Sequence, residues 1–87
     1  MEIVFSKHSL EKLEDSTSQK LDINRDTVEN VLQNPEITDS CDYPLMMAIK
    51  EFKENLSLCV IYKFVNGKLK VITFFPSRRG RYENKIF

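Results

Sequence analysis

The stretch LSLCVIYKFVNGKLKVITFFPSRRGRY, Leu56 to Tyr82, decides how this chain folds. Two apolar runs flank Asn66-Gly67. That pair suits a type I′ turn, which needs positive φ at both central residues. The second run meets Pro76, which cannot donate to a sheet ladder, and is expected to end there. Arg78, Arg79, Gly80, Arg81 and Tyr82 follow at once. A hairpin thus delivers an arginine cluster to one end of a sheet.

A regular ladder around Asn66-Gly67 pairs Val65 with Lys68, Phe64 with Leu69, Tyr62 with Val71, Val60 with Thr73 and Leu58 with Phe75. Side chains alternate across a strand. One face then carries Leu58, Val60, Tyr62, Phe64, Leu69, Val71, Thr73 and Phe75, which is apolar enough to be the core face. The other carries Ser57, Cys59, Ile61, Lys63, Val65, Lys68, Lys70, Ile72 and Phe74, with its lysines near the turn. These lysines are separate from the arginines, because Lys70 and Arg78 stand roughly 25 Å apart along an extended strand.

Outward from the hairpin, Leu45 to Lys53 reads two ways. Leu45, Met46, Ile49, Phe52 and Leu56 fit a helical stripe, with Pro44 suited to a first helical position. A tight turn at Glu54-Asn55 instead makes the segment a strand. Ile49 then faces Val60, Met47 faces Tyr62 and Leu45 faces Phe64, all on the core face; the strand is favoured. Glu36 to Asp42 has weak strand character and suits an edge, where a partner strand could add. Asn34-Pro35 stops a helix over Leu21–Asn34, with Asp26 and Glu29 as its capping box, Val28, Val31 and Leu32 as its apolar stripe and Ile23 as its entry anchor. Before it, Ser6 caps a helix that Leu10 and Leu13 support and that ends near Gln19. Glu2 to Phe5 is a short first strand. The expected order is β-α-α-β-β-β-β: an α+β fold with two helices on a mainly antiparallel sheet.

Length and composition bound the rest. At 87 residues the chain reads as one domain, burying only about 60–65% of its unfolded surface. Formal charge balances, but Met1–Glu54 holds 12 acidic and 6 basic residues, and Asn55–Phe87 holds 1 acidic and 7 basic. The asymmetry suggests an anionic partner for the C-terminal part, or simply acidic helices beside a basic sheet. Cys41 and Cys59 form no CxxC pattern and no disulfide framework, so a cytoplasmic setting is expected. No signal peptide or membrane span is read, and one histidine offers no zinc spacing. No metal or other cofactor is expected.

The chemistry candidates are few. Arg78, Arg79 and Arg81 present planar forks that grip phosphate, Gly80 allows close backbone approach, and Tyr82 can stack on a base. The competing reading is a solvated tail, or one that binds another protein. Lys7 and His8 stand between the first strand and first helix, where an anion is favoured and a histidine can act as general acid or base. A capping or packing role is the plainer reading of His8. Met46 and Met47 read as packing residues. Glu11, Glu14, Asp15, Asp22 and Asp26 read as a solvated helical face that would repel nucleic acid.

Taken together, Lys7-His8-Ser9-Leu10 through Leu13, Ile23 to Val28, Val31-Leu32-Gln33-Asn34-Pro35-Glu36 and Lys70-Val71-Ile72-Thr73 resemble a family of small prokaryotic domains. That family is similar to the BrnT-like branch of the RelE/ParE toxin superfamily. The segment between Leu13 and Ile23 is longer than the pattern and lacks its Arg-Gly pair. The resemblance implies a RelE-like fold and a metal-independent endoribonuclease whose surface a cognate antitoxin covers. Carried to this chain, His8, Arg79, Arg81 and Tyr82 would be catalytic, and Lys7, Arg78, Arg79 and Arg81 would bind RNA. The ribose 2′-hydroxyl would attack the adjacent phosphate, arginines would stabilise the phosphorane, and His8 or Tyr82 would move protons. That chemistry requires His8 or Tyr82 within roughly 10 Å of two arginines. The alternative is a non-enzymatic interaction domain with a basic tail, and Ile86-Phe87 could dock on its own core or on another subunit.

Overall fold

The computed structural model describes residues 2–40 and 42–78. Its elements are β1 (Ile3–Phe5), α1 (Lys7–Leu13), α2 (Ser16–Leu21), α3 (Arg25–Gln33), β2 (Ile37–Asp39), β3 (Met46–Lys53), β4 (Leu56–Val65) and β5 (Lys68–Arg78). The strands form one sheet in the order β1-β5-β4-β3-β2, antiparallel except for the parallel β1–β5 pair. Helix α3 supplies Val28 and Val31, and the link before it Ile23, to a core completed by Phe5, Ala48, Leu58, Val60, Tyr62, Leu69, Val71 and Phe74. The fold is α+β, as the hairpin and helical stripes imply. Burial pushes the Tyr62 phenol above its usual range.

The helical region departs from expectation in two places. The single helix expected to end near Gln19 is two, because Asp15 restarts the chain: its carboxylate accepts the Ser18 N–H at 2.8 Å. The capping box of α3 is Asn24 with Thr27, not Asp26 with Glu29. The Asn24 side chain accepts the Thr27 N–H at 3.0 Å, and the Asn24 N–H donates to Thr27 Oγ1 at 3.3 Å. The stripe is as read: Val28 and Val31 are buried, Leu32 packs beside them, and Ile23 anchors the entry.

The sheet shows why register is harder to read than pairing. The turn at Asn66-Gly67 has positive φ at both residues, and pairing follows expectation as far as Tyr62–Val71. The ladder then shifts, so Ile61 faces Thr73 and Val60 faces Phe74. Ile72 is the extra residue of a bulge. Phe74, not Thr73 or Phe75, therefore enters the core. The strand also runs through Pro76 to Arg78 instead of ending. Among the described residues β1 pairs β5 only at Leu69–Val71, so Pro76 stands where β5 is an edge and its missing N–H is tolerated.

Met46–Lys53 form a strand, not the helix of the competing reading, and Leu45 lies just before it. The turn at Glu54-Asn55 is present, since Lys53 pairs with Leu56, but an irregularity at Phe52 slips the rest by one. Ala48 faces Val60 and Met46 faces Tyr62, in place of the expected Ile49 and Met47. A one-residue slip sends every side chain to the other face. Ile49 and Cys59 therefore lie opposite one another, buried but outside the helix-side core. The edge strand β2 is shorter than the expected 36–42 segment.

The start of α1 is tied to the β5 bulge. The Ser6 side chain accepts the Ser9 N–H at 3.1 Å and donates to the Ile72 carbonyl at 3.0 Å. The fully buried Ser9 hydroxyl donates to the Ser6 carbonyl at 2.8 Å and contacts the Val71 carbonyl at 3.3 Å. Ser6→Ala removes a cap and a helix–strand bond together. We expect it to cost about 1–2 kcal/mol in urea denaturation. No measurable change would mean that water replaces both bonds.

Candidate functional site

The chemistry-bearing residues of the described chain line the junction of α1 with β5. Ser6 and Ser9, at the start of α1, meet Val71 and Ile72, whereas Lys12, near its end, meets residues further along β5. The helix therefore runs with the strand. The Lys12 ammonium donates to Thr73 Oγ1 at 3.3 Å and lies 5.7 Å from the Phe74 ring centroid and 6.0 Å from that of Phe75. An ammonium held by a hydroxyl and two aromatic rings gives up rotamer freedom. Its remaining N–H donors point the site toward an anion.

His8 precedes Lys12 by one helical turn, so the two share a face of α1. His8 and Lys7 are exposed, and Lys12 is half-buried. Arg78 ends β5 and is exposed, opposite Leu56. Five residues of strand separate Thr73 from Arg78, roughly 16 Å. His8, set back one turn from Lys12, is farther from Arg78 still. The described residues thus place His8 and Lys12 together and Arg78 at the far end of the same strand. Arg79, Gly80, Arg81 and Tyr82, with the Ile86-Phe87 end, lie outside the described residues, as does Cys41.

Lys12 and Thr73 are functional candidates that the sequence reading did not single out. The available signal is the His8–Lys12 spacing of four on a helix; the Thr73 contact needs the tertiary fold. Cys59 is fully buried, in keeping with a packing role. Among the described residues, no group of three His, Cys, Asp or Glu side chains is placed to hold a metal ion, and no helix is long and apolar enough to cross a membrane.

Of the clefts formed by the described residues, three lie away from His8. One of about 290 Å³ sits by α2 and α3, lined by Asp22, Asn24 and Arg25 among others. The other two, of about 230 and 200 Å³, open on the sheet. No family model, curated protein or solved structure matches this chain.

Proposed function

We propose that this chain is a RelE-like protein of toxin–antitoxin type that binds RNA along the α1–β5 edge and cleaves it without a metal ion. The observation that carries the reading is the Lys12 ammonium, anchored on Thr73 and two phenylalanine rings beside His8, on the strand that leads into the arginine cluster. Lys7, Lys12 and Arg78 would neutralise successive phosphates. The 2′-hydroxyl of one ribose attacks its own 3′-phosphate, forming the P–O bond of a cyclic phosphate as the bond to the next 5′-oxygen breaks. His8 or Tyr82 takes the proton from the hydroxyl or returns one to the leaving oxygen. Arg79 and Arg81 hold the developing charge. An α+β sheet with helices on one face supports the RelE-like part of the reading.

The test is RNA cleavage by purified protein in EDTA. Wild type is compared with His8→Ala and with a variant carrying Arg78→Ala, Arg79→Ala and Arg81→Ala. Cleavage that survives EDTA and is lost in the folded arginine variant is expected; loss in His8→Ala as well would assign the proton transfer to His8, and its survival there to Tyr82. Binding without cleavage would leave an RNA-binding module. Neither activity would favour the non-enzymatic interaction domain.

A further inference from the structure

Helices α1, α2 and α3 pack on one face of the sheet, where Leu13, Leu21 and Leu32 meet the core that holds Ala48, Leu58 and Val60. Strand alternation turns Ile49, Ser57 and Cys59 to the opposite face. Among the described residues no helix or second sheet lies over that face, yet all three are 0% exposed. A side chain in the middle of a sheet reaches that value only when other atoms lie on it. Residues 42–45, in the β2–β3 connection, do not supply them. They are exposed and border Met47 and Ile61, farther along the face. The burial is that of a single chain, so a second copy is not needed to account for it.

We propose that the chain's own C-terminal segment, residues 79–87, folds back across this face and closes it, with Tyr82, Ile86 and Phe87 as the apolar side chains that cover Ile49 and Cys59. The exit is in the right place. Ser77 pairs with Ser57 and Arg78 with Leu56, so the chain leaves β5 beside the covered band. The reach is sufficient. Ile49 lies two strand spacings from β5, roughly 10 Å, whereas the segment extends to roughly 30 Å. The other positions outside the described residues, Met1 and Cys41, are single residues, too few to cover a band across β3 and β4. Charge agrees as well. Asp39 and Glu51 share this face, and the segment brings Arg79, Arg81 and Lys85 against one acid, Glu83. The closure stands apart from the ribonuclease reading. Where Arg79 and Arg81 also serve RNA, RNA competes with the two carboxylates for them.

Thiol labelling of the full chain tests this. In a Cys41→Ser background Cys59 is the only cysteine. Tyr82→Asp, Ile86→Asp and Phe87→Asp together should speed its reaction with an aromatic disulfide reagent by on the order of 100-fold. Val60→Cys, in a Cys41→Ser, Cys59→Ser chain, reports the helix-side core and should stay protected through the same three substitutions. Equal acceleration at both positions, or at neither, overturns the proposal. A second measurement leaves the segment's apolar character intact. The chain has no tryptophan, so Tyr82→Trp reports the segment alone. Its fluorescence should resist quenching by acrylamide, and to the same degree on dilution. Quenching equal to that of free tryptophan overturns the closure. So does protection that falls on dilution, since a second copy would then supply the cover. Saturating 2′-O-methyl RNA should also speed labelling of Cys59; if it does not, the RNA role of Arg79 and Arg81 fails and the closure stands.

Discussion

Phe74→Ala should cost about 3–5 kcal/mol in urea denaturation, and Phe75→Ala less than half as much. Phe74 is 1% exposed and belongs to the helix-side core, whereas Phe75 is half-buried and outside that core. Truncating Phe74 loses the transfer free energy of a whole ring and leaves a cavity among Val60, Val71 and the helices, which relax only in part. Both substitutions also remove one of the rings under Lys12, so that loss cancels from the comparison. For a chain whose total stability is expected near 5–15 kcal/mol, the first variant will be close to unfolding. The comparison reports on the bulge at Ile72. In a regular ladder Phe75 would be the core residue, and the order of the two losses would reverse. Equal losses would mean that both faces of β5 are packed alike.

The second large effect is on RNA affinity and its dependence on salt. A variant carrying Lys7→Ala, Lys12→Ala and Arg78→Ala should bind single-stranded RNA on the order of 100-fold more weakly near 0.1 M salt. The slope of log K against log salt should fall by about 2, as three phosphate contacts are lost at ~0.7 each. A 2′-O-methyl oligonucleotide keeps cleavage out of the measurement. Lys20→Ala, an exposed charge on α2, serves as the control and should change neither quantity. Lys12→Ala alone should show a larger share than Lys7→Ala. Its ammonium is already held by Thr73 and the rings, so less side-chain freedom is lost on binding. An unchanged slope in the triple variant would remove the α1–β5 edge as the RNA surface. A slope that falls with Lys12 intact would place the contacts at the ends of the edge instead.

The candidate site was legible in residue type more than in arrangement. Lys7, His8 and Arg78 are visible as charges in the sequence, yet nothing local shows that α1 runs along β5 or that His8 is set toward one end of that strand. Lys12 reads as one more solvated helical charge until Thr73, sixty-one residues later, comes within 3.3 Å of it. Arginine identity and spacing state which ligand chemistry is available; they do not state which side chains meet.

The sequence by itself determined the elements whose signals are local. Asn66-Gly67 set the hairpin because few other residues accept positive φ twice in succession. Val28, Val31 and Leu32, ended by Asn34-Pro35, determined α3 because the 3.6 period and the proline act within a few residues. Tertiary structure decided what one inserted residue leaves open. A bulge at Ile72 and another at Phe52 put Phe74 and Ala48 into the core in place of Phe75 and Ile49. Either register satisfies the alternation of apolar residues, because both faces of β3 and β5 are largely apolar. Only the fit of α1 and α3 against one of those faces, with Ser6 bound to the bulge carbonyl at Ile72, separates the two.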